Sequence, residues 1–357
     1  MTKIQVSVII LNHNGGDVTE RCINGILSSV IASEEIILID NGSELSEYQK
    51  LKIKYAKRIK IIRNEVNYGY PKGNNQGAQI AKGRYLIFLN NDTVVPKGWI
   101  MPLIKILDQN PDIAFLQPKI KSLTYRNFFE YAGGTGGFLD YFGFPFVRGR
   151  IFGSIEEDVG QYNDQRNIFW ASGVALACRK KIFQELGMFD PFFFSYGEEA
   201  DLCFRAHRKG YRVVYTPEVE ILHLGGFTSN RNISQKIFFH HRNHILLLFK
   251  NLKIRDLLFI LPCRLLFDIT AVIYYLYYYR SLSIASVVLK AYLSIVKNLR
   301  KICCHRYSYS LNNFGYPKFP GLVYKGSIVW NYFILKKKRW SEIYNLKFRQ
   351  SKIIKIF

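Results

Sequence analysis

Residues 83–93, with the sequence GRYLIFLNNDT, constrain the fold more than any other segment of the chain. Residues 85–89 form a continuous apolar run that ends abruptly in Asn90, Asn91 and Asp92. Such a run is typical of a strand that is buried on both faces, which requires helices on both sides of a mainly parallel sheet. Ligands of these sheets bind beyond the carboxyl ends of the strands.

Asp92 therefore lies where a carboxylate could hold a divalent cation and, through it, a diphosphate. The alternative is that Asn-Asn-Asp-Thr is only a turn, because Asn and Asp favour turns for local reasons. This segment alone leaves both interpretations open.

Two earlier apolar runs, residues 6–11 and 36–39, also end in polar clusters, which contain Asn12 and Asp40. A third predicted strand covers residues 59–63, and helical or charged segments separate the three. This alternation favours right-handed crossovers and a doubly wound parallel sheet. Three polar clusters at the same edge favour a ligand site over three unrelated turns.

Residues 64–77 contain three Gly, four Asn and one Pro, which predicts a loop with a helix starting near Asn74. Neither GxGxxG nor GxxxxGK[ST] follows the first strand. If a nucleotide binds, a metal ion bridging to its diphosphate is the natural alternative to a glycine-rich loop.

The positive charge is concentrated in the last third of the chain. From residue 241 onwards there are 21 Lys and Arg residues against three acidic residues, so +18 of the net +23 lies there. This asymmetry predicts a partner of opposite charge, either nucleic acid or an anionic membrane surface. The six cysteines show no zinc-ligand spacing, and the first apolar run is too short for a signal peptide, so we expect a cytoplasmic protein.

Between about residues 6 and 226 the chain resembles the inverting glycosyltransferases of family 2, which have the GT-A fold. The resemblance is carried by VSVIILNHNG, IILIDNGS, NYGYPKGNNQG, GRYLIFLNNDT, WASG, GMFD and SYGEEADLCFRAHRKGY. These motifs are most similar to those of bacterial rhamnosyltransferases that make surface polysaccharides. The resemblance implies an α/β GT-A catalytic domain over residues 1–235 with a mainly parallel central sheet, and we expect a helical, basic membrane-association region over residues 236–357.

The resemblance also implies a donor site. Asp40 would contact the nucleobase and ribose, Asp92 would hold Mg²⁺ or Mn²⁺ on the donor diphosphate, and His223 would be a further metal ligand. A lone His in an apolar run can equally be a core residue, and Asn and Gly are also common in ordinary turns. The other donor-side positions are Asn12, Asn67, Gly69, Asn74, Asn90 and Asn91.

The catalytic base is expected in a Glu-Asp pair at a helix start, and here the chain has Glu198 and Glu199, followed by Asp201. A carboxylate there would take the proton of the attacking sugar hydroxyl. Glu199 matches the position of the base and Asp201 is the fallback, although acids at this place could simply complement a helix N-terminus. Trp170, Gly173 and Glu198 are the acceptor-side candidates, with ordinary packing as the alternative for Trp170 and Gly173.

Residues 256–279 are strongly apolar but contain Pro262, Arg264 and Asp268. Each charge at a bilayer centre costs about 2.5–3.5 kcal/mol on insertion scales, so an in-plane helical hairpin with residues 281–301 fits better than a span. In the tail, basic residues alternate with aromatic ones. Each basic residue contributes about 1 kcal/mol to binding at an anionic leaflet. These basic residues are Lys336, Lys337, Lys338, Arg339, Lys347, Arg349, Lys352 and Lys355. A solvated tail is the alternative.

We therefore expect an enzyme attached peripherally to the inner face of the cell membrane. It would move a sugar, with rhamnose suggested by the resemblance, from a dTDP-, UDP- or GDP-sugar to a lipid-linked saccharide with inversion, in O-antigen or capsule synthesis. One alternative is a catalytically weak nucleotide-sugar binder. The other is a basic nucleic-acid-binding protein, but no nucleic-acid-binding motif is present, so we expect no nucleic-acid partner.

Overall fold

The structure is a computed structural model that describes residues 4–29, 34–130, 132–225, 233–308, 315, 321–346 and 351–355. The strands are β1 (Val6–Asn12), β2 (Glu34–Asn41), β3 (Lys60–Asn64), β4 (Tyr85–Asn90), β5 (Thr93–Val94), β6 (Ile113–Ser122), β7 (Gly137–Asp140), β8 (Pro145–Val147), β9 (Arg150–Ile151), β10 (Ser154–Glu156), β11 (Arg166–Asn167), β12 (Ala175–Arg179), β13 (Arg212–His223), β14 (Val323–Tyr324) and β15 (Ile353–Lys355).

The helices alternate with the strands in the first half of the chain and dominate residues 233–308. They are α1 (Gly16–Leu27), α2 (Leu45–Tyr55), α3 (Gly69–Ile80), α4 (Ile100–Gln109), α5 (Lys180–Glu185), α6 (Glu198–Arg208), α7 (Ile233–Asn251), α8 (Ile254–Tyr279), α9 (Leu282–Lys297), α10 (Leu299–Ser308) and α11 (Trp340–Ile343), with a 3₁₀ turn at Pro191–Phe193 and a π-helical turn at Trp330–Ile334.

The central sheet has the strand order β11-β13-β6-β12-β4-β1-β2-β3, with β5 paired to β13. Strands β3, β2, β1 and β4 are mutually parallel, as the alternation of strands and helices predicts. Strand β12 runs antiparallel to both of its neighbours, so the sheet as a whole is mixed. The register places Asn12 opposite Asp40 and Leu11 opposite Asn90, which brings the polar strand ends to one edge.

Both faces of the inner strands β1 and β4 are buried. Along β1, Val8 and Ile10 belong to one core cluster, and Ile9 between them belongs to the cluster on the opposite face. Along β4, Ile87 and Phe88 divide in the same way. This two-sided burial confirms the prediction that residues 85–89 form an inner strand, because successive side chains of a strand point to opposite faces.

Helix α3 begins five residues earlier than the sequence predicts. Gly69 adopts φ +81°, and its N–H donates to the side chain of Asn67 at 2.8 Å, which turns the chain directly into the helix. Most of the predicted loop is therefore helical, and Asn74 lies within α3 rather than at its start. A composition rich in Gly and Asn concealed this helix because both residues have weak helix propensity.

Two strands near the end of the chain pair with strands formed by residues 137–156. In a second sheet of order β14-β7-β8-β9-β10-β15, β14 pairs with β7 and β15 pairs with β10. Trp340 is 2% exposed and packs against Phe138 and Tyr162. The expectation that the tail lies on a membrane is thus wrong for Trp340, because the aromatic side chains on this sheet bury it. Lys347 and Arg349 lie outside the described residues.

Helices α7, α8 and α9 pack together and confirm a helical C-terminal region, as expected. Two charged residues in the middle of the apolar helix α8, Arg264 and Asp268, are each 1% exposed and contact each other at 3.2 Å. Asp268 also contacts His241 of α7 at 3.0 Å and accepts a hydrogen bond from Tyr292 of α9 at 2.7 Å. The charges of Arg264 and Asp268 are therefore compensated within the helical bundle.

Candidate active site

Asn12 and Asn91 join the ends of three strands. The buried Asn12 donates through Nδ2 to Asp40 Oδ1 at 3.1 Å and to Glu47 Oε1 at 2.9 Å. Its Oδ1 accepts hydrogen bonds from Thr19 at 2.7 Å and from Asn91 at 3.1 Å. The amides of Asn12 and Asn91, predicted on the donor side, thus hold the edge of the sheet together.

Asp40, at the end of β2, is fully buried, and its Oδ1 accepts a hydrogen bond from Asn12. Among the described residues, no donor reaches its buried Oδ2. A buried acceptor without a partner costs free energy, so this atom is a natural point for a ligand N–H or O–H to bind. This geometry fits the role expected for Asp40.

Asp92 and His223 meet at the same edge. The structure places Asp92 Oδ1 2.9 Å from His223 Nε2, and both side chains are buried. On the other side of the ring, Glu130 Oε2 lies 3.4 Å from His223 Nδ1. Asn90, also at this edge, has its Nδ2 3.3 Å from His223 Nε2.

The protonation of this cluster follows from its buried charges. Burial by itself lowers the pKa of His223, but the carboxylates of Asp92 and Glu130 outweigh it and raise this pKa to about 10. Burial also opposes ionisation of Asp92, yet the His223 charge lowers the pKa of Asp92 overall. The imidazolium thus balances one of the two negative charges of this cluster when no cation is bound.

The donor set of Asp92 and His223 fits a divalent cation. In the described part of the chain, no three His, Cys, Asp or Glu side chains are arranged to hold a metal ion. One carboxylate oxygen and one imidazole nitrogen nevertheless suit Mg²⁺ or Mn²⁺, which commonly take their remaining ligands from substrate phosphates and water. Glu130 stands where a carboxylate would orient a metal-binding imidazole through its other nitrogen.

The predicted donor-side residues Asn67, Gly69 and Asn74 shape the turn into α3. Asn67 Oδ1 accepts hydrogen bonds from Gly69 N–H and from Asn41 Nδ2, the latter at 2.9 Å. A Cβ at Gly69 would lie 2.4 Å from the carbonyl oxygen of Phe194, so only glycine fits. Asn74 donates to the carbonyl of Tyr70, one helical turn earlier, at 3.0 Å.

Glu198 and Glu199 begin α6, and Glu199 contacts Gly173, which was predicted on the acceptor side. Glu199 Oε1 accepts a hydrogen bond from Gly173 N–H at 3.1 Å, and Tyr70 donates to the carbonyl of Gly173 at 2.8 Å. A Cβ at Gly173 would lie 2.4 Å from Tyr70 Oη and 2.7 Å from Glu199 Oε1. The absence of a side chain at Gly173, in the turn before β12, therefore lets Tyr70 and Glu199 approach each other.

The two carboxyl groups differ in their tendency to ionise. Burial raises the pKa of both, and the neighbouring charge of Glu199 raises the pKa of Glu198 further. Hydrogen bonds from backbone N–H groups, including that of Gly173, partly offset the effect at Glu199. Glu199 therefore ionises before Glu198, as a general base must, whereas the buried Oε2 of Glu198 has no hydrogen-bond partner within the described residues.

Asp201 belongs to an internal ion-pair network. Its Oδ1 lies 2.9 Å from Lys250 Nζ and accepts from Asn251 at 3.1 Å, and its Oδ2 lies 2.9 Å from Arg205 Nη2. Burial opposes ionisation, but Lys250 and Arg205 lower the pKa of Asp201 overall. With both oxygens bound to cations, Asp201 is poorly placed to take a proton, and the geometry favours Glu199.

Trp170 packs beside the site. Its indole N–H donates to the carbonyl of Phe138 at 3.1 Å, and the ring is half-buried against the core. The structure thus gives Trp170 a packing contact.

Sequence reasoning missed Glu130 and Tyr70. Glu130 is 38 positions after Asp92 and reaches His223 only because β6 and β13 pair. Tyr70 stands inside the NYGYPKGNNQG motif, yet nothing in the motif indicates that its hydroxyl contacts Gly173.

Comparison with known proteins adds to this geometry. The sequence model described as glycosyl transferase family 2 matches residues 7–187. The O-antigen biosynthesis protein RfbC of Myxococcus xanthus is 28% identical over 61% of this chain and 17% of its own length. An N-acetylglucosaminyl-diphospho-decaprenol L-rhamnosyltransferase of Mycobacterium tuberculosis is 23% identical over 66% of this chain and 81% of its own.

Other relatives align with this chain over only part of their own length. N-acetylgalactosaminyltransferase 7 of Drosophila melanogaster is 25% identical over 62% of this chain and 39% of its own length, so the chain spans well under half of that relative and of RfbC. The crystal structure of GalNAc-T7 with UDP, GalNAc and Mn²⁺ has a TM-score of 0.55 and 21% identity, over 69% of this chain and 47% of that one. This likeness establishes a shared fold.

Proposed function

Because the chain belongs to glycosyl transferase family 2 and has the GT-A fold, we propose that it transfers a sugar from a nucleotide-diphosphate donor to a lipid-linked saccharide with inversion. Cell-surface polysaccharide synthesis of the O-antigen or capsule type is the setting that the relatives support. The M. tuberculosis relative, which aligns over most of its length, supports rhamnose as the sugar and a lipid-linked acceptor.

One observation carries the proposal. At the carboxyl edge of the sheet, the structure brings together an open acceptor at Asp40, the Asp92–His223 pair and the carboxylate of Glu199. Asn12 hydrogen-bonds to Asp40 and Asn91, and the backbone that binds Glu199 at Gly173 is joined to β4 through the Val174 carbonyl and the Asn90 N–H. These are the groups needed to bind a nucleoside, to balance the charge of a diphosphate and to accept a proton.

The donor would bind along this edge. Asp40 Oδ2 accepts a hydrogen bond from the nucleobase or ribose, and Asp92 and His223 are the residues that would hold Mg²⁺ or Mn²⁺. When bound, the ion supplies positive charge to the diphosphate leaving group. Glu130 keeps the imidazole of His223 oriented from its Nδ1 side.

Glu199 performs the proton transfer. As an acceptor hydroxyl attacks the anomeric carbon, its proton passes to the Glu199 carboxylate, and the bond between that carbon and the diphosphate oxygen breaks with its electron pair on the diphosphate. Attack on the face opposite the leaving group inverts the anomeric configuration. The pocket of Gly173 and Tyr70 fixes the carboxylate for this step.

Association with the anionic inner face of the cell membrane is part of the proposal. Within the described residues, one helix, α8, is long and apolar enough to cross a bilayer by length and composition. Arg264 and Asp268 of this helix are bound inside the helical bundle, whereas Leu258 and Leu266 are 73% and 65% exposed. An apolar face of this kind, on a strongly basic region, fits attachment in the plane of an anionic surface.

A donor-binding titration tests the proposed activity. Full-length protein with Mn²⁺ is titrated with UDP-, dTDP- and GDP-sugars by calorimetry and again with EDTA, and nucleotide release is then measured with and without a lipid-linked saccharide. We expect metal-dependent binding of one nucleotide class and acceptor-dependent release.

Each contrary outcome would favour one of the two alternative functions. Donor binding without acceptor-dependent release would indicate a sugar-nucleotide-binding protein. No donor binding, together with steeply salt-dependent binding of DNA or RNA, would indicate a nucleic-acid-binding protein.

A further inference from the structure

The turn that leads into the Glu198–Glu199 pair has an unusual backbone. Phe194 and Tyr196 adopt φ angles of +63° and +68°, and Gly197 adopts +90°. Residues other than glycine rarely adopt positive φ, and such conformations persist only where surrounding contacts impose them. The carboxylate pair is thus attached to a segment, residues 192–197, whose shape depends on its neighbours.

Those neighbours are two adjacent side chains of α7. The fully buried Asn243 donates through Nδ2 to the carbonyls of Phe193 at 3.0 Å and of Ser195 and Tyr196 at 2.6 Å each. Its Oδ1 accepts a hydrogen bond from Arg242 Nε at 2.7 Å.

The guanidinium of Arg242 adds two contacts to the same turn. Arg242 Nη2 donates to the carbonyl of Phe192 at 2.9 Å and to that of Phe193 at 2.6 Å. Arg242 and Asn243 therefore bind four carbonyls of the turn, all within residues 192–196. Both side chains come from a helix about 50 positions later in the chain.

The other side of the turn contacts the donor and acceptor sides of the site. The carbonyl of Phe194 accepts from Tyr70 N–H at 2.7 Å, and Tyr70 in turn contacts Gly173, whose N–H binds Glu199. The turn, Tyr70, Gly173 and Glu199 thus form a closed ring of contacts. A shift of the turn would move Glu199 relative to the donor side.

We propose that Arg242 and Asn243 are positioning residues that hold the 192–197 turn and thereby fix Glu199 for proton transfer. This inference rests on the proposed glycosyltransferase activity. Helix α7 is therefore part of the catalytic apparatus, although it lies in the region that charge and composition assign to membrane association. Neither side chain needs to touch the substrate, because both act through the backbone that carries Glu199.

The test compares Asn243→Asp with Asn298→Ala in the full-length chain. The Asp side chain keeps the shape of Asn but presents oxygen to the three carbonyls, whereas Asn298 donates to the Ser294 carbonyl within α9, away from the turn. We expect kcat to fall about 100-fold in Asn243→Asp, since a misplacement of about 1 Å can cost that much, with donor Kd changed less than twofold. Asn243→Gln, which keeps the amide, should recover part of kcat.

Amide hydrogen exchange of residues 192–199 provides a readout that is independent of turnover. Loss of the hydrogen bonds from Asn243 to the turn should speed exchange in this segment in Asn243→Asp but not in Asn298→Ala. Equal kcat and equal exchange in the two variants would overturn the proposal. If Asn243→Asp does not fold, Arg242→Lys, which keeps the charge but loses the two-carbonyl contact, is measured in the same way.

The two proposals can fail separately. If the wild-type protein transfers sugar from no donor, the proposed function fails, while hydrogen exchange still decides whether Arg242 and Asn243 hold the turn. If the wild-type protein is active and Asn243→Asp keeps its kcat, only the positioning role fails.

Discussion

At the scale of single residues, the site depends on carboxylates whose partners differ. Asp92 is balanced by His223, Asp201 is bound by Lys250 and Arg205, and Glu199 has only backbone hydrogen-bond partners among the described residues. Because Glu199 is buried without a cationic partner there, its pKa is raised and it keeps its affinity for a proton. This difference separates a candidate base from carboxylates that bind cations.

Replacement of the two adjacent glutamates should distinguish their roles. Glu199→Gln removes the base, so kcat should fall by about 10²–10⁴. Glu198→Gln should cost far less, because the amide mimics the protonated form that the higher pKa of Glu198 favours. The measurement is the initial rate of acceptor-dependent nucleotide release, and the reverse order of losses would assign the base to Glu198.

The pH profile of kcat follows from the same carboxyl group. The base must be ionised, and burial raises the pKa of Glu199, so the acidic limb of kcat should lie above the pKa of about 4.3 of an ordinary Glu. Activity should be lost as the pH falls through this raised value. Because Glu198 stays protonated there, Glu198→Gln should leave the limb in place, and a limb that moves would contradict this order of ionisation.

Asp92→Ala should abolish turnover while the protein stays folded. The substitution removes the carboxylate proposed to hold Mg²⁺ or Mn²⁺, so Mn²⁺-dependent donor binding by calorimetry should be lost as well. The matched control is Asp17→Ala, because Asp17 is a surface residue that is 88% exposed and, among the described residues, forms an ion pair with Lys50 alone. Wild-type rates in Asp92→Ala would refute the metal assignment.

At the scale of elements, the start of α3 shows how the fold builds the proposed donor side. The helix can begin at Gly69 only with a positive φ, and the absence of a side chain there lets the Phe194 carbonyl approach. The turn before the helix and the turn before the carboxylate pair are thereby packed backbone to backbone, with the N–H of Tyr70 as their hydrogen bond.

Two Gly→Ala substitutions should have opposite effects on stability. Gly69→Ala forces a Cβ to within 2.4 Å of a backbone oxygen at positive φ, so the free energy of unfolding should fall by about 1–3 kcal/mol or more. Gly25→Ala lies inside α1, where no described atom comes within 4 Å of the added Cβ, and should gain roughly 0.5–1 kcal/mol. Denaturant unfolding measures both, and stabilisation by Gly69→Ala would contradict the close approach.

At the scale of the whole molecule, the C-terminal region serves both the catalytic part and the proposed membrane surface. Lys250 of α7 binds Asp190 at 2.7 Å as well as Asp201, and β14 and β15 complete the second sheet. Removal of residues 236–357 would take Lys250 from both buried carboxylates and leave Asp201 with Arg205 as its cation. Truncation therefore cannot separate membrane attachment from catalysis, and point substitutions on α8 are needed.

Substitutions on the outer face of α8 should weaken membrane attachment alone. Leu258→Ser combined with Leu266→Ser should reduce co-sedimentation with vesicles that contain phosphatidylserine, with little change in Tm, because both side chains are exposed. Asp268→Ala on the inner face should instead cost about 3–5 kcal/mol, because it leaves Arg264 buried and unpaired. Unchanged vesicle binding in the double variant would argue against this face as the membrane contact.

The sequence by itself determined the parallel strands β1 to β4 and the positions of Asp40, Asp92 and Glu199 at element ends. These features are local, because apolar runs, turn residues and strand–helix alternation depend on near neighbours in the chain. The tertiary structure alone decided the roles that depend on distant partners. Glu130 reaches His223 across 93 positions, Asn243 reaches the 192–197 turn across about 50, and Trp340 enters a sheet formed near residue 138. Such contacts leave no periodic signal, since chain folding rather than local propensity brings the residues together.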